Sequence, residues 1–297
     1  MALFNKKTTL VHHITYMGIM TAINLIFIIL ATYIPFLLFL LILLLPFAST
    51  IVSYYCQKRY YIIYAVASIG LCLIFNISDT IFYIIPAVIT GFVIGLLLER
   101  RIHPFWLVLS SSIIEAALTF AFIPLINILS NTNIVETFLS IFKLNNFAYK
   151  AEATYLFIYF ISLLQCSLTH FALLNDVKKM GININTRISC FYPFIIGLQA
   201  SIVLSLVFAF FYEPLSLVFM AISFYFSVYL LVDLLLSKKA VIYIILSFSL
   251  VASFFIFVIL YKRISAPFNM NFMVLFSLAI CASSFIKNCL LKQESNI

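Results

Sequence analysis

Two carboxylates, Glu115 and Asp233, lie inside apolar runs where a charge is costly, which makes them the first candidates for chemistry in this 297-residue sequence. Glu115 stands near the middle of a run from about 104 to 129, with Ser111, Ser112 and Thr119 three or four residues away. On a helix these residues share one face, and a polar face in a membrane is turned to protein or water rather than lipid. The next run carries Ser162, Gln165 and Thr169 at helical spacing, with Gln165 at similar depth because the chain returns in the opposite direction. The two stripes can meet. Such a meeting serves either a cavity for a small solute or a hydrogen bond that holds two helices together in lipid.

Asp233 ends a face made by Tyr225 and Tyr229 at steps of four, within two turns of Lys238 and Lys239. Neighbouring lysines or water can satisfy a carboxylate so near a span end. The same face also suits a partner helix. Gln199, His170 and the pair His12-His13 rank lower, and adjacent histidines diverge by about 100° on a helix, with no third ligand at metal spacing. No metal or cofactor is expected. The six cysteines are scattered without a C-x-x-C pair, so neither a disulfide framework nor a zinc site is expected. The sequence holds no G-x-x-x-x-G-K-[ST] loop, no H-E-x-x-H and no G-x-S-x-G, and no polar segment long enough for a catalytic domain. The expectation is a protein that is not an enzyme and that draws any ATP-driven energy from a partner.

The elements that position these residues follow from composition. The chain is 65% hydrophobic and only 9% charged, with a mean hydropathy of +1.21, against roughly 25% charged in soluble domains. This predicts an all-α, polytopic transmembrane helical bundle in a lipid bilayer. Apolar runs of spanning length fall at about 12–31, 36–55, 60–77, 80–98, 104–129, 154–175, 190–211, 214–236, 240–261 and 268–288, about ten spans in all. Lys6 and Lys7 precede the first run, which lacks a small-x-small cleavage site and reads as an uncleaved span.

The net charge of +8 sits in basic pairs between the runs, which marks topology rather than a nucleic-acid partner. With a cytoplasmic N-terminus, Lys6, Lys7, Lys58, Arg59, Arg100, Arg101, Lys178, Lys179, Arg187, Lys238, Lys239, Lys287 and Lys292 fall inside, thirteen of the 17 basic residues. Lys143, Lys150, Lys262 and Arg263 fall outside. Both termini are therefore expected on the cytoplasmic side, with Lys262-Arg263 as the departure from the rule. The long outside segment 131–152 places Ile134, Phe138, Ile141 and Phe142 on one face and Glu136, Thr137, Ser140 and Lys143 on the other. It predicts a short amphipathic helix, resting on headgroups or closing an outward-facing cavity.

The fourth run is organised for packing. Ala87, Gly91 and Gly95 recur every fourth position, lining one face with small side chains that admit another helix at backbone distance. Arg100 and Arg101 close it.

Several features in order resemble the YybS-like membrane proteins of Gram-positive bacteria, a family related to the substrate-binding S components of energy-coupling-factor (ECF) transporters. They are Tyr33-Ile34-Pro35 after the first run, Leu43-Leu44-Leu45-Pro46 in the second, and Ile84-Ile85-Pro86-Ala87 leading into Gly91-Phe92-Val93-Ile94-Gly95-Leu96-Leu97-Leu98 in the fourth. The resemblance covers roughly residues 10–130. It implies a bacterial cell-membrane protein with a six-helix S-component-like unit over 1–176 and additional transmembrane helices over 177–297. It also implies a first helix that packs through a small-x-x-x-small pattern on a transmembrane coupling subunit bound to ATPases. Gly18 and Ala22 have that spacing, with Gly at a position where the family favours Ala. The solute of an S component lies between the later helices and the outside loops, which would place it near Glu115 and Gln165. The alternative class is a non-transporting scaffold or regulatory subunit, holding another membrane protein through Gly91 and Gly95 and through the Tyr225, Tyr229 and Asp233 face. No internal repeat points to a transporter working alone.

Overall fold

The computed structural model describes residues 9–130, 133–141, 149–179, 191–236, 240–263 and 273–295. Every regular element among them is helical: α1 (Leu10–Tyr33), α2 (Pro35–Tyr55), α3 (Lys58–Phe75), α4 (Ile77–Asp79), α5 (Ile85–Glu99), α6 (Pro104–Ser130), α7 (Ile134–Ile141), α8 (Lys150–Lys179), α9 (Phe191–Phe211), α10 (Glu213–Leu236), α11 (Ala240–Arg263) and α12 (Val274–Ser295). A π-helical turn, Thr80–Ile84, joins α4 to α5 so that Ile77–Glu99 is one continuous rod. Among the described residues, eight helical segments are long and apolar enough to cross a bilayer. The other two expected spans fall on α2 and on α12, whose apolar stretch Val274–Cys289 is shorter. The amphipathic segment expected over 131–152 contains the eight-residue α7, while Phe142 and Lys143 lie outside the described residues.

The chain divides into two compact units, Met1–Thr137 with Ile161–Thr186 and Phe138–Phe160 with Arg187–Ile297, α8 giving its first residues to one and the remainder to the other. Helices in lipid gain little from burying apolar surface against one another, so close approach and hydrogen bonds must hold them. The first unit uses both. At Gly91 an added Cβ would strike Ser49 Cβ and come within 2.9 Å of the Pro46 carbonyl, and at Gly95 it would lie 2.5 Å from Ser53 Cβ. The small-residue face of α5 is therefore filled by α2. Ser53 Oγ completes the contact by donating to the Phe92 carbonyl at 3.0 Å. Ala87, on the same face, is buried.

A polar strap ties α1, α2 and α3. Asn24 Nδ2 donates to Tyr64 Oη at 2.9 Å and to Ser68 Oγ at 3.0 Å, and Ser49 Oγ lies 3.0 Å from the same phenol. Tyr61 Oη donates to the Val88 carbonyl at 2.6 Å, linking α3 to α5. At the start of the α4–α5 rod Asn76 caps the helix, accepting from the Asp79 amide at 3.0 Å while its Nδ2 donates to the Asp79 carboxylate at 2.7 Å. At the far end the chain turns through a Schellman pattern, with Ile102 N donating to Leu97 O and Arg101 N to Leu98 O. Arg101 takes the left-handed position there, with φ 54°.

The second unit is built round α10. Ser216 Oγ donates to the Ser205 carbonyl at 2.7 Å and Ser205 Oγ to the Ser216 carbonyl at 3.1 Å, a reciprocal clasp between α9 and α10. Phe208 and Phe219 stack beside it at 5.4 Å. Ser249 and Ser283 hydroxyls, 3.1 Å apart, link α11 to α12. Phe160, from the start of α8, packs on Phe224 of α10 at 4.8 Å.

Candidate functional site

The stripes expected on the fifth and sixth runs correspond to α6 and α8. Ser111, Ser112, Glu115 and Thr119 are all buried along one face of α6. Their hydroxyls turn back on their own helix: Ser111 Oγ donates to Leu107 O at 2.7 Å, Ser112 Oγ to Leu109 O at 3.0 Å and Thr119 Oγ1 to Glu115 O at 2.9 Å. This back-bonding satisfies each donor and leaves hydroxyl lone pairs as acceptors. On α8, Ser162, Gln165 and Thr169 are buried as well.

The partner that Glu115 finds on α8 is a thiol. Cys166 Sγ donates to Glu115 Oε2 at 3.0 Å, with both residues buried. Gln165 is the preceding residue, about 100° round the helix. Reading Cys166 as one of six scattered cysteines missed it, although its position beside Gln165 in a polar stretch was the available signal.

Three neighbours of this contact are unsatisfied. Thr169 Oγ1, Ser167 Oγ and both ring nitrogens of His170 are buried without a hydrogen-bond partner among the described residues. Buried polar atoms are nearly always paired, and the exceptions include groups that hold a water, an ion or a ligand as well as groups under strain. Cys166 and His170 are four residues apart and so share a face of α8. The α6 sequence and residues 161–175 of α8 contain no Lys or Arg, so the Glu115 carboxyl has no cation on either helix at that depth. Among the described residues no group of three His, Cys, Asp or Glu side chains could hold a metal ion.

The remaining candidates lie elsewhere. Tyr225 and Tyr229 are buried in the second unit, with the Tyr229 ring 4.8 Å from Phe194 of α9. Asp233 meets Lys287 of α12, whose Nζ is 2.7 Å from Asp233 Oδ2 and 2.9 Å from its backbone carbonyl. Lys238 and Lys239, the neighbours named from sequence, lie outside the described residues. Lys287 is itself 8% exposed, an ammonium folded into the unit. Gly18 and Ala22 face outward on α1, and a Cβ at Gly18 would meet nothing within 4 Å.

Residues 22–146 match the family model described as "Predicted membrane protein (DUF2232)". The matched stretch starts within α1, includes Glu115 and stops before α8 and its Cys166. No curated protein and no solved structure matches the chain. Over that stretch the chain is similar to a family of predicted membrane proteins, and eight helical segments among the described residues are long and apolar enough to cross a membrane.

Proposed function

We propose that this protein captures a small polar solute within the membrane, as an S-component-like subunit of a YybS-like, ECF-related kind, and that partner subunits supply the energy for transport. On this reading it is a bacterial cell-membrane protein of about ten spans, with both termini cytoplasmic, and it is not itself an enzyme. The observation that carries the reading is the Cys166–Glu115 contact, which sets the polar faces of α6 and α8 together while Thr169 and His170 keep unsatisfied polar atoms beside it. A carboxyl with no cation on either helix suits a solute that presents hydrogen-bond donors. The outward Gly18–Ala22 face of α1 suits close packing by a coupling subunit.

The scaffold reading finds less support. The residues it would use are occupied from within: Gly91 and Gly95 by α2, Asp233 by Lys287, and the two tyrosines by burial in their own unit.

The test is mild-detergent purification from native membranes, with mass spectrometry of retained small molecules and co-purifying proteins. A single enriched solute, lost by about tenfold or more in Glu115→Gln and Gln165→Leu variants that remain folded, is the expected result. Gly18→Leu with Ala22→Leu is expected to release a coupling subunit while the solute stays. Equal solute retention by the wild type and by both the Glu115 and Gln165 variants would overturn the reading.

A further inference from the structure

The first unit holds a cavity that neither Glu115 nor any other residue of α6 or α8 lines. It lies where α2 ends, α3 begins and α5 ends, has a volume of about 350 Å³, and is lined by residues Tyr54 to Arg59 and by Glu99. That volume falls in the range of about 300–1,000 Å³ typical of small-molecule sites.

Its charge is net positive. Lys58, Arg59 and Glu99 line it, and Arg100 and Arg101 directly follow Glu99 in sequence, all four bases being exposed. Glu99 Oε2 is spent on Lys58 Nζ at 2.9 Å. The guanidinium of Arg59 lies over the Tyr60 ring, 4.7 Å from its centroid. The start of α3 adds a second oddity: Gln57 gives no side-chain cap, and the first turn carries two bases and no acid. Positive charge there opposes the helix dipole, and an anion in the cavity would relieve both.

The apolar surface beside the cavity identifies what carries that anion. Arg59, Ile62, Ile63 and Val66 follow the i, i+3, i+4, i+7 pattern and share a face of α3. Ile62 is 70% exposed, Ile63 59% and Val66 67%, on a helix long and apolar enough to span. A basic hollow at the end of a span, continued by an open apolar face, matches a headgroup with its chains.

We propose that this cavity binds a phosphate group carried by an anionic phospholipid, whose acyl chains lie along the Ile62, Ile63 and Val66 face of α3. The proposal is independent of the solute reading, because it uses none of the α6 or α8 residues.

The experiment titrates the delipidated full-length protein in detergent with phosphatidylglycerol or phosphatidylcholine and counts retained lipids by native mass spectrometry. A parallel thermal-unfolding series uses inorganic phosphate. Phosphatidylglycerol is expected to be retained about fivefold or more over phosphatidylcholine, and Arg59→Gln to abolish the preference while Arg59→Lys keeps part of it. Should Arg59→Gln fail to fold, raised salt applied to the wild type is expected to release phosphatidylglycerol selectively. Equal retention of both lipids, or a preference indifferent to Arg59 and to salt, overturns the proposal. Arg59-dependent stabilisation by inorganic phosphate without any lipid preference overturns the lipid as the source and leaves a free anion in its place.

Discussion

Cys166 donates its thiol proton to the Oε2 of Glu115 at 3.0 Å, across 51 residues of sequence, so that α6 and α8 are joined at a depth where each would otherwise present a polar group to lipid. Interhelical hydrogen bonds in bilayers contribute about 0.6–2 kcal/mol. Cys166→Val, which keeps the volume and removes the donor, is expected to lower stability by that amount. Cys166→Ser keeps a donor and is expected to lose less. Glu115→Gln retains an acceptor oxygen and is expected to unfold near the wild type. Thermal unfolding of the purified variants in one detergent reads all three, and a Cys166→Val protein as stable as wild type would remove the bond from the account of what holds these helices.

The ion pair between Asp233 and Lys287 calls for a different pattern. Both groups are largely withdrawn from solvent, with side-chain exposures of 23% and 10%. Removing one partner strands the other charge, at a cost of about 3–5 kcal/mol, whereas replacing both with apolar or neutral groups can be close to neutral. Lys287→Met is expected to be the worse single change, because the carboxylate it leaves sits in an apolar helix. Adding Asp233→Asn to Lys287→Met is expected to recover most of the loss. A double-mutant cycle on unfolding free energy measures this, and strict additivity of the two changes would contradict the pairing.

The α2–α5 seam has no slack. Gly95→Ala places a methyl 2.5 Å from Ser53 Cβ, a contact that real side chains avoid, so one helix must move. Overpacking of this kind costs about 1–3 kcal/mol. Ser53→Gly opens the facing position and is expected to restore part of the stability lost in Gly95→Ala, even though it also removes the Ser53–Phe92 hydrogen bond. If Gly95→Ala is neutral by itself, the two helices are further apart than the structure gives.

Much of this was legible in the chain because membrane helices write their length and their faces in local sequence. The ranges read for the first, third, fifth and ninth runs lie within two residues of α1, α3, α6 and α11, and the Glu115 stripe is buried as its spacing required. Partners were the illegible part. Nothing local says that Asp233 is met by Lys287 from α12, or that Gly91 and Gly95 are filled by α2 rather than by another protein. Those answers depend on which helices are neighbours, and helices of equal hydrophobicity carry little record of that. Cys166 escaped for a related reason: a thiol passes for an apolar side chain until a carboxylate is found 3.0 Å away. The π-helical turn at Thr80–Ile84 also left no trace in the apolar pattern: its extra residue shifts the helical face, but only the three residues of α4 precede it, too few to show a change of period.

Arg101 is the one described non-glycine residue with positive φ, at 54°, and it occupies the Schellman position that ends α5. A side chain with a Cβ costs about 1–2 kcal/mol in the left-handed region, and glycine avoids that cost while losing more freedom on folding. Arg101→Gly is therefore expected to raise stability by roughly 1 kcal/mol or slightly less. Arg101→Ala retains the Cβ and the strain and removes only the charge. The comparison of the two separates backbone from electrostatics: if glycine stabilises and alanine does not, the arginine is kept at a strained position for its charge at the end of the span, where positive residues set orientation. If both variants unfold with the wild type, the turn tolerates the arginine without strain. A protein destabilised by glycine and unaffected by alanine would mean that the rigidity of this turn matters more to α5 than its geometry.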